Sequence, residues 1–211
     1  MEYSHLIIML PGFSMNKDDM VYYKDKINET FPEFKIRYRI LSPPMRKITI
    51  YNDNKYNAWY DYFTPHCDKE PEINIQHLLQ SRRKIHKILD DEILRMKDKR
   101  KIYLLGMSQG CCMALDAGIT YDTEIGGIIG FKGHVTSQTL REFQTKQRVW
   151  VCHGLSDKTI FYNFSKRTYG QLRKKNPSLT LLTQENVNHS VPSGIIEQMK
   201  RLRFFYLNKS A

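Results

Sequence analysis

Residues 101–118, KIYLLGMSQGCCMALDAG, constrain this chain more than any other stretch. The apolar run IYLLG ends at Gly106, Ser108 follows, then Gly110, and the residues after it suit a helix. A buried strand that passes into a helix through G-x-S-x-G belongs to a parallel α/β sheet, where the sharp turn lifts the serine above the sheet. Glycines at both flanks allow a close backbone approach that a Cβ would crowd. The hydroxyl then stands near a helix N-terminus, whose backbone N–H groups favour negative charge.

The rest of the chain repeats the alternation that such a sheet needs. Short apolar or period-two runs predict strands at 5–10, 35–41, 101–105, 127–131, 148–151 and 178–182. Between them, residues 17–31 read as a helix with Asn16 as its cap. Ile75, Leu78, Leu79, Ile85, Ile88, Leu89 and Ile93 recur at helical spacing and predict a long amphipathic helix ending near Met96. A last helix is expected over 194–207. Residues 42–73 show no period and read as a long irregular loop carrying Trp59, of the kind that is functional or forms a lid. The fold class is therefore α/β: a mostly parallel central sheet with helices on both faces, in a single domain over residues 1–211.

Several classes are excluded. No window holds 18 uninterrupted apolar residues, so no segment suits a spanning helix. The start, MEYSHLIIMLPGF, lacks the basic region and long apolar stretch of a signal peptide, and a cytoplasmic location is expected. Cys111 and Cys112 are adjacent on a predicted helix, Cys67 and Cys152 stand apart, and no C-x-x-C offers a zinc or redox site. Reduced thiols fit a reducing compartment. The net charge of +11 comes from basic clusters at 81–84, 97–101, 173–175 and 200–203, spread over separate helices and a helix end. They read as solvated helix faces, with no dedicated nucleic-acid binding expected. Such charge also permits peripheral contact with an anionic membrane.

A serine hydroxyl needs a base, and the base an acid, before it attacks a carbonyl. Of seven histidines, only His134, His153 and His189 follow Ser108, and His189 sits in ENVNHSVPSG between the last strand and the last helix. RVWVCHGLSDKTI provides a strand, a turn with His153, and Asp157 as the acid. His153 reads as a turn residue beside that acid. Asp116 and Asp122 lie on or just after the helix that follows Ser108 and point the wrong way. Two backbone donors complete the set: the N–H of Gln109, directly after the serine, and that of Phe13 in the loop LPGF.

These segments together resemble the phospholipase/carboxylesterase family of small α/β-hydrolases, which includes acyl-protein thioesterases and bacterial carboxylesterases. IIMLPGF corresponds to its first strand and oxyanion loop, NAWYDYF to its Trp/Phe/Asp segment, LLGMSQG to its nucleophile elbow, VCHGLSDKTI to its acid segment and VNHSV to its catalytic histidine. Three positions depart from the pattern: Pro11 stands for the family's histidine, Lys158 for the proline after the acid, and Asn188 for the glycine before the base. The resemblance implies ester or thioester hydrolysis with no metal and no organic cofactor. Substrates would be an acylated protein, a lysophospholipid or a small ester, and a basic surface-binding module on a hydrolase fold is the alternative. The aromatic residues Trp59, Tyr60, Tyr62 and Phe63 either anchor the loop to the core or line the acyl site, and in the second case Trp59 is the expected substrate contact.

Overall fold

The computed structural model describes residues 3–189 and Ile196. In chain order the elements are β1 (His5–Leu10), α1 (Val21–Thr30), β2 (Ile36–Ile40), β3 (Met45–Ile48), β4 (Asn54–Asn57), α2 (Ile75–Met96) and β5 (Ile102–Met107). They continue as α3 (Gln109–Ile119), β6 (Gly127–Phe131), α4 (Ser137–Arg141), β7 (Val149–Gly154), α5 (Tyr162–Lys175) and β8 (Leu179–Gln184). The helix expected over 194–207 lies outside the described residues, apart from Ile196, which is helical.

Six strands form one sheet in the order β2-β1-β5-β6-β7-β8, and every pairing in it is parallel. The four inner strands, β1, β5, β6 and β7, are buried at every position, as strands covered on both faces must be, and the edge strands β2 and β8 are not. Leu6, Ile8 and Leu10 of β1 join Leu104, Ile128 and Val151 in a core shared with α2, α3 and α5. The intervening Ile7 and Met9 join Leu105, Ile129 and Trp150 against Ile27 of α1 and Ile196. Each such side chain, fully buried, stabilises the fold by about 1.5–3 kcal/mol.

Two boundaries differ from the sequence expectation, each for a local reason. The 17–31 segment opens as a short 3-10 turn, Asp18–Met20, before α1 begins at Val21. Asn16 is therefore not the cap of α1, which Met20 precedes; its Oδ1 accepts the Asp18 N–H at 2.6 Å just ahead of the turn. The segment 42–73 is not irregular throughout. β3 and β4 pair as an antiparallel ribbon, Met45 opposite Asn57 and Ile48 opposite Asn54. Their connection ends in Asn52 and Asp53, both with left-handed backbones (φ 52° and 58°). Asn and Asp tolerate that conformation at hairpin turns. The strands MRKI and NKYN are short and polar, so they carry no hydrophobic period that would betray them.

Two carboxylates are fully buried and paired. Asp116 on α3 takes two bonds from Arg82 on α2, Nε to Oδ2 at 2.8 Å and Nη2 to Oδ1 at 2.6 Å. The Thr139 hydroxyl adds a third at 2.7 Å. Glu92 accepts from Arg37 and Arg39, which locks α2 to the edge strand β2. Asp116 thus clamps helices together and faces away from the strand ends.

Candidate active site

Ser108 occupies the turn between β5 and α3 with φ 51° and ψ −117°, a backbone conformation that a non-glycine residue holds only under strain. A Cβ on Gly106 would lie 2.1 Å from the Gly110 carbonyl oxygen, and one on Gly110 would lie 2.1 Å from that of Leu10. Both glycines are therefore required by packing: the elbow is wedged against its own helix and the end of β1. The Ser108 N–H is tied to the Phe131 carbonyl of β6 at 2.9 Å, which fixes the turn's height above the sheet.

His189, in the loop after β8, brings Nε2 to 2.9 Å from Ser108 Oγ. Its Nδ1 lies 2.7 Å from Asp157 Oδ2. A carboxylate only accepts, so Nδ1 carries the proton and Nε2 is left to accept from the serine hydroxyl. Asp157 is itself held by its turn, with Oδ1 accepting the N–H groups of Thr159 at 2.8 Å and Ile160 at 2.9 Å. Burial pushes its carboxyl up, but the hydrogen bonds from His153, His189 and Ile160 outweigh this and hold it well below the usual range.

His153 is also near this carboxylate, its Nε2 3.2 Å from Oδ2. That same nitrogen lies 2.8 Å from the Ile160 carbonyl, which only accepts, so it bears the proton and cannot itself accept one from a serine hydroxyl. His153 is 1% exposed and braces the acid turn from below.

The N–H groups of Phe13 and Gln109 have no acceptor among the described residues. Both belong to one frame. The Trp59 indole donates to the Pro11 carbonyl at 2.8 Å. Gln109 Oε1 accepts the Trp59 N–H at 2.8 Å, and its Nε2 donates to the Tyr60 carbonyl at 2.8 Å. The Gln109 side chain therefore ties the elbow to residues 59–60, and Trp59 ties those to the β1 loop. Ser81 of α2 closes the frame from behind, its hydroxyl on the Trp59 carbonyl at 2.6 Å.

Trp59 is consequently not the substrate contact expected for it. It is fully buried, does not line the cleft at Ser108, and borders a separate hollow with Arg46 and Lys84. An indole packs its rings inward whenever its N–H finds a buried carbonyl. Of the neighbouring aromatics, Tyr60 is buried, Phe63 is exposed, and Tyr62 reaches the cleft.

That cleft measures about 320 Å³, and its walls beside Ser108 and His189 include Phe13, Ile50, Tyr51 and Tyr62. His66 lines it too, a residue that sequence periodicity gave no reason to place there. Burial, with His134 and His189 nearby, lowers the His66 imidazole to about 3, so it is neutral. Lys132, at the end of β6 with φ 49°, donates its ammonium to the His189 carbonyl at 3.0 Å. Burial lowers its pKa while the Asp157 charge opposes that. Nothing local in FKGH marks this lysine, because the contact spans 57 residues. Among the described residues no group of His, Cys, Asp and Glu is arranged to hold a metal ion.

The fold and this strand–elbow–helix site define an α/β-hydrolase. The phospholipase/carboxylesterase family model matches residues 3–206, and the chain belongs to that family, an ester hydrolase by class. Lysophospholipase-like protein 1 of Mus musculus is 24% identical over 178 residues, 81% of this chain and 72% of that protein. Acyl-protein thioesterase 1 of Schizosaccharomyces pombe is 32% identical over 105 residues, 49% of this chain and 46% of that one. The crystal structure of SOBER1 from Arabidopsis thaliana superposes with a TM-score of 0.81 at 19% identity, covering 95% of this chain and 96% of that one. The Bacillus cereus carboxylesterase has a TM-score of 0.73 at 15% identity, with 96% and 90% covered.

Proposed function

We propose that this chain cleaves carboxylic esters or thioesters through an acyl-enzyme on Ser108, in the manner of acyl-protein thioesterases and carboxylesterases. The observation that carries the reading is the relay Ser108 Oγ to His189 Nε2 at 2.9 Å and His189 Nδ1 to Asp157 at 2.7 Å.

His189 Nε2 takes the hydroxyl proton as Oγ attacks the acyl carbon, and Asp157 stabilises the imidazolium that forms. The carbonyl oxygen becomes an oxyanion that the free N–H groups of Phe13 and Gln109 receive. Collapse expels the alcohol or thiol, which leaves with the proton from His189. Water then repeats the sequence on the acyl-enzyme, releasing the carboxylic acid and restoring Ser108. The chemistry calls for no metal and no cofactor.

The aromatic cleft favours a short to medium acyl chain, each added methylene contributing up to about 0.8 kcal/mol while room lasts. Four free cysteines support a reducing, cytoplasmic setting. No helix among the described residues is long and apolar enough to cross a membrane, and the charge of +11 supports peripheral contact with anionic lipid. The test is labelling by a fluorophosphonate together with p-nitrophenyl ester turnover. Both should vanish in Ser108→Ala, with a loss on the order of 10⁴-fold or more. Labelling and turnover that survive the substitution would exclude Ser108 as the nucleophile.

A further inference from the structure

At His189 the aromatic-walled cleft meets a second, more polar lobe. On one side lie Phe13, Ile50, Tyr51, Tyr62 and Pro65. On the other, a shallower hollow of about 440 Å³ is lined by Ser156, Lys158, Thr159 and Asn188. Lys158 and Thr159 border both lobes. The second lobe offers hydroxyls, an amide and one cation, with no carboxylate in its wall among the described residues.

The proposed reaction assigns the lobes. His189 Nε2 must hand its proton to the departing oxygen or sulfur, so that atom has to come within hydrogen-bond reach, about 2.6–3.2 Å. The leaving group then continues past His189 into the polar lobe. The acyl chain leaves the same carbon along a different bond and is left with the aromatic lobe, where methylenes are favourably buried.

The polar lobe is also electrostatically one-sided. Lys158 is exposed and forms no ion pair among the described residues. The adjacent carboxylate of Asp157 is committed, Oδ2 to His189 and Oδ1 to the N–H groups of Thr159 and Ile160. Lys132 places a second cation against the His189 carbonyl, 3.0 Å away. The buried Asp157 carboxylate offsets one of these two charges, so the exposed Lys158 ammonium leaves a net positive field where the leaving group exits.

We infer that this chain selects esters or thioesters whose leaving group carries a carboxylate near the scissile bond, and that Lys158 is the residue that reads it. The inference rests on the hydrolase reading above and adds the substrate class to it.

The test compares butyryl esters of 4-hydroxybenzoate and of 4-hydroxybenzamide, which differ in charge at the far end of the leaving phenol. The readout is the ratio of their kcat/KM values, in which general effects on the site cancel. The wild-type ratio should favour the anionic ester about three- to fivefold at low salt, after allowance for intrinsic reactivity measured with hydroxide. It should shrink toward one in 0.5 M NaCl, where the screening length is only about 4 Å. Lys158→Gln should bring the ratio to about one and Lys158→Glu should invert it, while Lys174→Gln on α5 keeps the wild-type value. A wild-type ratio near one, or a ratio that survives Lys158→Gln, overturns the inference while leaving the hydrolase reading standing. A collapse with Lys174→Gln as well would show the charge effect to be diffuse and overturn the role of Lys158. Failure to turn over either ester, with no fluorophosphonate labelling, would overturn both readings.

Discussion

The indole N–H of Trp59 donates to the carbonyl of Pro11 across 2.8 Å, joining residues 48 apart in the chain. Pro11 directly precedes Gly12 and Phe13, so this single bond sets where one of the two free N–H donors points. Replacing the indole by Phe removes the donor and keeps most of the packing. Trp59→Phe should lower kcat about five- to tenfold, since one such bond contributes on the order of 1 kcal/mol. KM for a short ester should move little, because Trp59 does not touch the cleft. A rise in KM with unchanged kcat would instead place the indole at the substrate.

The strained backbone of Ser108, φ 51° and ψ −117°, sets stability against function. Glycine reaches this conformation without a Cβ penalty, and relief of such strain is of order 1–3 kcal/mol, offset by glycine's greater freedom when unfolded. Ser108→Gly should abolish turnover yet raise the melting temperature by a few degrees. A fall in melting temperature would show that the hydroxyl's bond to His189 outweighs the strain.

Packing at the elbow predicts the opposite for its neighbour. The Cβ of Gly110→Ala would sit 2.1 Å from the Leu10 carbonyl oxygen and 2.3 Å from that of Pro11, both backbone atoms that cannot swing away. The variant should lose about 3 kcal/mol or more, or fail to fold, as overpacked cores do. Denaturant unfolding checks it, and a loss below 1 kcal/mol would mean that β1 and the elbow are not locked together.

Five imidazoles are lowered by burial and couple folding to pH, three of them strongly. Burial lowers His66 to about 3, and His134 and His5 to about 4, whereas each titrates near 6.5 when unfolded. Between those values the unfolded chain holds more protons, so stability falls as pH drops from about 6.5 to about 4 and is unaffected by these groups above it. Asp157, depressed by its hydrogen bonds, adds a loss of the same sign at lower pH, from the carboxylate range downward. Melting temperatures across this window should decline with proton uptake on unfolding, and His134→Leu should flatten part of the decline. A flat profile would contradict the neutral, buried assignment.

Breaking the buried Arg82–Asp116 pair should cost more than removing it. Arg82→Met leaves Asp116 charged and fully buried, a loss of about 3–5 kcal/mol. Arg82→Met with Asp116→Leu should recover much of that, and a double variant as unstable as the single one would refute the clamp.

How much of this was legible beforehand depends on the range of the forces involved. The sheet could be read because each strand, from HLIIML to VWVC, carries its own burial pattern in contiguous residues. The elbow could be read for the same reason: its glycines and serine are local, and the turn they demand is short. Ser108, Asp157 and His189 were candidates by their motifs and their places at strand ends, and two histidines lie within 3.2 Å of the same Asp157 oxygen. The sequence reads His153 as a turn residue, and the tertiary structure supplies the physical reason: the Ile160 carbonyl occupies His153, while the Ser108 hydroxyl faces His189. The tertiary structure also turned Trp59 inward, built the β3–β4 ribbon from residues with no apolar period, and brought two hollows together at His189. Those outcomes rest on which distant groups satisfy a buried donor or leave a cation unpaired. Such pairings join residues tens of positions apart and leave no trace in local periodicity.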